Sequence, residues 1–263
     1  MVNSWLLLSG IGIMTLGVLI PIYYWRTEKV PVKYFAFGAV LWILAISVKA
    51  LMDLTITPTL NLYFLGYGTI AFVIFYGVYL GLRTGFFESG FTYIAGIKTK
   101  LKEMNFKQVV GLGLGFGCFE AVVIGFFSFI NILAFVLAPD MINALQENQQ
   151  SIMLEQLNQP TWIVGAAILE RFATIAIHVF TTILVFYAIK IMNKKFLWIS
   201  IGFKALLDGM IPAITYYYNP TTIFDWYAIE FLIIALGLIA YLGYNHMKDL
   251  WMKDYEKSNN NTG

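Results

Sequence analysis

The chain has one cysteine, Cys118, which excludes an intrachain disulfide and a cysteine-rich metal cluster. Charge is scarce as well. Only 12% of residues are Asp, Glu, Lys or Arg, against roughly 25% in a soluble globular domain. No Lys/Arg-rich low-complexity stretch is present, so no nucleic-acid partner is expected. No period of 20–50 residues repeats, and no inverted halves of the transporter kind are visible. What fills the chain instead is hydrocarbon: 59% of its 263 residues are hydrophobic and the mean hydropathy is +0.73.

Repeated apolar runs of about 20 residues predict an all-α, polytopic transmembrane helix bundle. Seven spans can be drawn, at residues 4–24, 34–52, 62–82, 109–137, 162–188, 196–216 and 226–244. They form a single transmembrane domain over residues 1–247, followed by a cytoplasmic tail over 248–263 that is expected to be disordered from Lys257 onward. The first run lacks a basic n-region before it and a small-residue cleavage site after it, so it reads as a retained helix. Pro21, Pro58, Pro139, Pro160 and Pro220 are expected at or just outside span ends. Two connections are long. Residues 83–108 are basic, and their apolar start, 85–97, reads as an interfacial or re-entrant helix. Residues 139–160 are Gln/Asn-rich and carry Asp140, Glu147 and Glu155 with no Lys or Arg.

Basic residues set the expected orientation. With the N-terminus outside and the C-terminus cytoplasmic, 14 of the 17 Lys and Arg residues fall on the cytoplasmic side, and Lys49, Arg171 and Lys204 lie inside spans. No outside loop then carries a basic residue. Trp5, Trp25, Trp162, Trp198 and Trp226 fall near span ends, as an aromatic belt requires.

The chemistry-bearing residues are those that hydrocarbon should not tolerate. Each charge at the bilayer centre costs about 2.5–3.5 kcal/mol or more unless it is paired or faces a polar cavity. Span five holds Glu170, Arg171 and His178; Arg171 and His178 are seven apart and lie within about 20° of one another on a helix. Span four has glycine at every second position from Gly111 to Gly117, then Cys118, Phe119 and Glu120. Those glycines permit close helix approach, or leave room for a substrate segment or a water-lined pocket beside Glu120. Span six holds Lys204 and Asp208 at i,i+4, positioned to satisfy each other or to do chemistry. At about 1.5 Å per residue, Glu120, His178, Lys204 and Asp208 all reach a level about 12–18 Å from the cytoplasmic end, with Glu170 higher at about 27 Å. Lys49 and Glu230, near the outer ends of spans two and seven, read as a structural pair or as snorkelling groups, and His246 as interfacial.

Three segments carry a family likeness. Gly115-Phe116-Gly117-Cys118-Phe119-Glu120-Ala121, then Leu169-Glu170-Arg171 followed after six intervening residues by His178, then Ala205-Leu206-Leu207-Asp208-Gly209, resemble the YhfC family of bacterial membrane proteins. That family is regarded as intramembrane proteases related to the CAAX-protease and bacteriocin-processing group and to the PrsW group. The resemblance covers roughly residues 30–215. It implies a multi-pass protein of the bacterial plasma membrane, in contact with membrane lipids, that hydrolyses a membrane-embedded or lipidated peptide near the midplane. It implies Glu120, Glu170, Arg171, His178 and Asp208 as catalytic candidates and zinc as a candidate cofactor, with Glu120, His178 and Asp208 as the available ligands.

The departures from the family pattern are informative. Phe87-Glu88 keeps the first Glu of a Phe-Glu-Glu-x-x-Arg pattern, but Ser89 and Thr92 replace the second Glu and the Arg. Phe116 and Lys204 stand where the family tends to have His. A catalytic zinc usually takes three protein ligands, so Phe116 and Lys204 weaken that site. A metal-free scheme uses Glu120 or Glu170 as general base, His178 as polariser or proton shuttle, Asp208 as its orienting partner and Arg171 as carboxylate anchor. The alternative is a catalytically degenerate relative acting as a membrane binder, immunity or regulatory protein. A proton-coupled transporter ranks below both.

Overall fold

A computed structural model describes residues 2–218 and 223–260; Pro220 and the end of the tail, 261–263, lie outside the described residues, as does the side chain of Trp226. Among the described residues the chain is helical and contains no strand. The helices are α1 (Leu7–Glu28), α2 (Val32–Thr55), α3 (Thr57–Leu65), α4 (Thr69–Thr84), α5 (Gly90–Lys98), α6 (Phe106–Leu137), α7 (Glu147–Leu157), α8 (Ile163–Lys190), α9 (Lys195–Tyr218) and α10 (Ile223–Asn260). Seven stretches are long and apolar enough to cross a membrane, as the sequence predicts.

The boundaries depart from the sequence reading in three places. Pro21 lies inside α1, which runs on to Glu28 and ends at Lys29 in the left-handed conformation (φ 52°). The third span does not begin near Leu62. Thr57–Leu65 is a separate short helix, and Gly68, with φ 87°, restarts the chain at Thr69. Residues 85–97 do not form a separate helix: they continue that span through a π-helical turn, Gly85–Ser89, into α5. A π turn widens the helix by one residue and redirects its side chains, and this one turns Glu88 and Ser89 into the bundle, where both are buried.

At the other end α10 remains helical through Asn260, beyond the expected onset of disorder at Lys257. Trp251 is buried against Tyr187 and Phe106, and Tyr187 Oη donates to Asp254 Oδ2 at 2.7 Å, which anchors this last stretch to the bundle. Residues 139–160 fold into a short 3₁₀ segment and α7, tied back by Asn3 N donating to Leu157 O at 2.8 Å.

α8 is the central helix. The most apolar window of α8 is 83% buried inside the protein, against 17–28% for each of the other six spans. It packs against α6, α9, α10 and α1, and α6 in turn packs against α1 and α2. The alternating glycines explain how α6 touches two partners at once. Residues four apart share a helix face, so Gly111 and Gly115 face one neighbour while Gly113 and Gly117 face another. A Cβ on Gly115 would sit 2.1 Å from Phe35 O in α2. One on Gly113 would sit 2.8 Å from Val179 Cα, and one on Gly117 3.0 Å from His178 Cβ, both in α8. The glycine run is thus spent on helix contact, and it brings α6 close enough for Glu120 to reach the His178 ring. Gly77 and Gly81 do the same for α4 against Gly209 and Ala205 of α9.

Candidate functional site

Between these helices lies a chamber of about 360 Å³. Its walls include Glu88, Glu120, Glu170, Asp208, Lys49, Arg171, Lys204 and His178, so four carboxylates face three cations and an imidazole. They come from α2, the π turn, α6, α8 and α9.

Most of these groups form one connected chain. Lys49 Nζ donates to Glu88 Oε1 at 2.6 Å, and Lys204 Nζ donates to Glu88 Oε2 at 2.7 Å. Lys204 Nζ lies 3.4 Å from His178 Nδ1, and His178 Nε2 lies 3.1 Å from Glu120 Oε2. An ammonium only donates, which makes Nδ1 the acceptor and Nε2–H the donor to Glu120. Glu120 also accepts from Trp42 Nε1 at 2.7 Å and from Arg171 Nη1 at 3.2 Å. Arg171 closes the chain with two bonds to Glu170, at 2.8 and 2.5 Å, and Thr174 Oγ1 adds another at 3.2 Å.

Asp208 stands beside this chain. It accepts from Thr84 Oγ1 at 2.5 Å and lines the chamber.

The geometry revises several pairings. Lys204 and Asp208 share a helix face but do not satisfy each other, because Lys204 turns to Glu88 and Asp208 to Thr84. Asp208 is not the orienting partner of His178; Glu120 holds that ring instead. Lys49 does not pair with Glu230. It is buried on Glu88, while Glu230 lines a separate cavity with Ser9, Ser128 and Asn131. The sequence reading does not single out Glu88 as a site residue. Its signal was the retained Phe87-Glu88 of the family pattern, but the π turn that aims it inward leaves no mark in hydrophobic periodicity. Ser89 and Thr92, at the departures, have ordinary structural partners: Ser89 Oγ meets Ser200 Oγ at 2.8 Å, and Thr92 Oγ1 donates to Glu88 O at 2.7 Å. His246 is exposed, away from the chamber.

The donor set does not fit a metal. Both nitrogens of His178 are engaged, Glu88 is held by two ammonium groups, and Glu120 is held by an indole, an imidazole and a guanidinium. Among the described residues no three His, Cys, Asp or Glu side chains are grouped as ligands. What the arrangement offers is a walled, polar, preorganised cavity with fixed positive charge, one imidazole and one lightly bonded carboxylate.

Comparison with known proteins agrees with the motifs. The chain is 27% identical over 153 residues to an uncharacterized membrane protein YhfC of Bacillus subtilis (strain 168). That stretch spans 54% of this chain and 58% of the relative, so just over half of the relative's length is matched. No solved structure matches. Residues 12–237 match the family described as YhfC intramembrane metalloprotease, a stretch that takes in five of the seven spans whole, parts of the first and last, and every wall of the chamber. This multi-pass membrane chain therefore belongs to the YhfC family.

Proposed function

We propose that the chain is an intramembrane endopeptidase that hydrolyses a membrane-embedded or lipidated peptide inside the chamber without a bound metal. The observation that carries this reading is the enclosure of Glu88, Glu120, Asp208, Lys204 and His178 around one cavity within a lipid-exposed bundle. Hydrocarbon excludes such groups unless they serve a purpose, and an intramembrane ionisable cluster is a functional site by default.

In the proposed reaction Asp208, the carboxylate with the fewest internal partners, takes a proton from water. The resulting hydroxide adds to the scissile carbonyl carbon. The oxyanion that forms faces the Lys204 ammonium, whose position is fixed by Glu88. The C–N bond then breaks, and the amine leaves with a proton returned by the Asp208 carboxyl. His178 and Glu120 hold Lys204 and the chamber wall in register.

The test is cleavage of a peptide carrying one apolar span by purified protein in liposomes, comparing wild type with Asp208→Asn, Lys204→Gln and His178→Ala. Loss of rate by about 10²–10⁴-fold in Asp208→Asn is expected. Equal product from all four proteins would remove the reading.

The density of internal ion pairs favours a second reading, a relative that kept the fold and binds a membrane segment without cutting it. It predicts crosslinking of the same peptide to the chamber wall with no cleavage by any of the four.

A further inference from the structure

We infer that the ammonium of Lys204 occupies the place of a metal ion, so that this chain carries its central cation covalently and holds no divalent metal there. Lys204 is 4% exposed, and its Nζ is surrounded on three sides. A carboxylate oxygen, Glu88 Oε2, lies at 2.7 Å. An imidazole nitrogen, His178 Nδ1, lies at 3.4 Å. The face of Phe116 lies 4.5 Å away, measured to the ring centroid. Oxygen and imidazole nitrogen are the donors a zinc ion takes, and an aromatic face is what an ammonium takes in addition.

The neighbours are arranged to match. The Phe116 ring packs on the His178 ring with centroids 4.9 Å apart and planes inclined by 31°, so Phe116, His178 and Lys204 meet at one point. Lys49 secures the other oxygen of Glu88 at 2.6 Å, which leaves that carboxylate facing two ammonium groups. A dication placed between Glu88 and His178 would have to displace an ammonium already bonded there and share its carboxylate with a second one. Phe116 would offer it no ligand.

The same geometry states what would convert the site. Histidine at positions 116 and 204 would join His178 and Glu88 about the point where Nζ now sits, giving three imidazoles and a carboxylate, a set zinc accepts. The inference deepens the metal-free clause of the peptidase reading, and because its readout is metal content and not cleavage, the two can fail separately.

The experiment measures zinc retained after dialysis, and the visible absorption of added cobalt, for four purified proteins. These are wild type, His178→Ala, Lys204→His and the double variant Phe116→His/Lys204→His. Wild type is expected to hold far less than one equivalent and to give no tetrahedral cobalt band. The double variant is expected to hold about one equivalent with an intense band. About one zinc per wild-type chain, abolished by His178→Ala, overturns the inference. A double variant that melts as a folded protein yet takes up no metal overturns it as well, since the four positions would then not converge.

Discussion

Glu88 is one carboxylate between two ammonium groups, all three side chains being nearly inaccessible. Taking such charges out of water is expensive, and removing one partner leaves the others uncompensated, at about 3–5 kcal/mol. Glu88→Gln, which strands Lys49 and Lys204 together, is therefore expected to lower stability by about that amount in a detergent unfolding titration. The ion pair of Arg83 with Asp53 provides the contrast, because the Asp53 side chain is 48% exposed. Asp53→Asn is expected to cost about 0–1 kcal/mol in the same measurement. Equal losses for the two substitutions would mean that the chamber is open to water and its ion pairs screened.

The element scale is governed by the glycines. α6 approaches α2 and α8 through opposite faces of one glycine run, and α4 approaches α9 through Gly77 and Gly81. Gly115→Ala places a methyl 2.1 Å from a backbone oxygen, which has no rotamer by which to yield. Gly165 of α8 has nothing within 4 Å of the same virtual atom. Gly115→Ala is thus expected to lower the melting temperature in detergent by several degrees, while Gly165→Ala leaves it unchanged or raises it through the better helix propensity of alanine, worth up to about 1 kcal/mol. A harmless Gly115→Ala would show that α2 and α6 are not in direct backbone contact. The N-terminus of α6 is sharply set by a capping box, Asn105 and Gln108 exchanging bonds of 3.0 Å, so the register of the glycines against Phe35 and Val179 is fixed from its first turn.

For the whole molecule, orientation is the property to test. The distribution of Lys and Arg predicts an outside N-terminus and a cytoplasmic C-terminus. Cys118 is buried, so the native protein offers little background to a thiol reagent. In spheroplasts, an impermeant maleimide is expected to label Gln149→Cys in α7 and to spare Lys102→Cys, both positions being exposed on the protein surface. The reverse pattern would invert the assigned topology and place the basic end of the bundle outside.

The number and approximate place of the spans could be read from the sequence because burying about 20 apolar residues dominates any local preference. Glu170, Arg171 and His178 stood out for the same reason: in a hydrocarbon run every ionisable group is conspicuous. The helix at 85–97 could not be read, because a π turn changes direction without changing composition. Nor could the pairings. Lys204 and Asp208 at i,i+4 look self-sufficient along one helix, and Lys49 looks peripheral. Their true partners, Glu88 and Thr84, arrive from other helices at angles that a single strand of sequence does not encode. Depth follows from counting residues at a fixed rise, so the chain by itself grouped Glu120, His178, Lys204 and Asp208, but it set Lys49 and Glu170 further out, and both line the same chamber. Azimuth follows from how helices pack on small residues, so only the tertiary structure decided that Lys204, held by Glu88, His178 and Phe116, stands at the centre of the chamber.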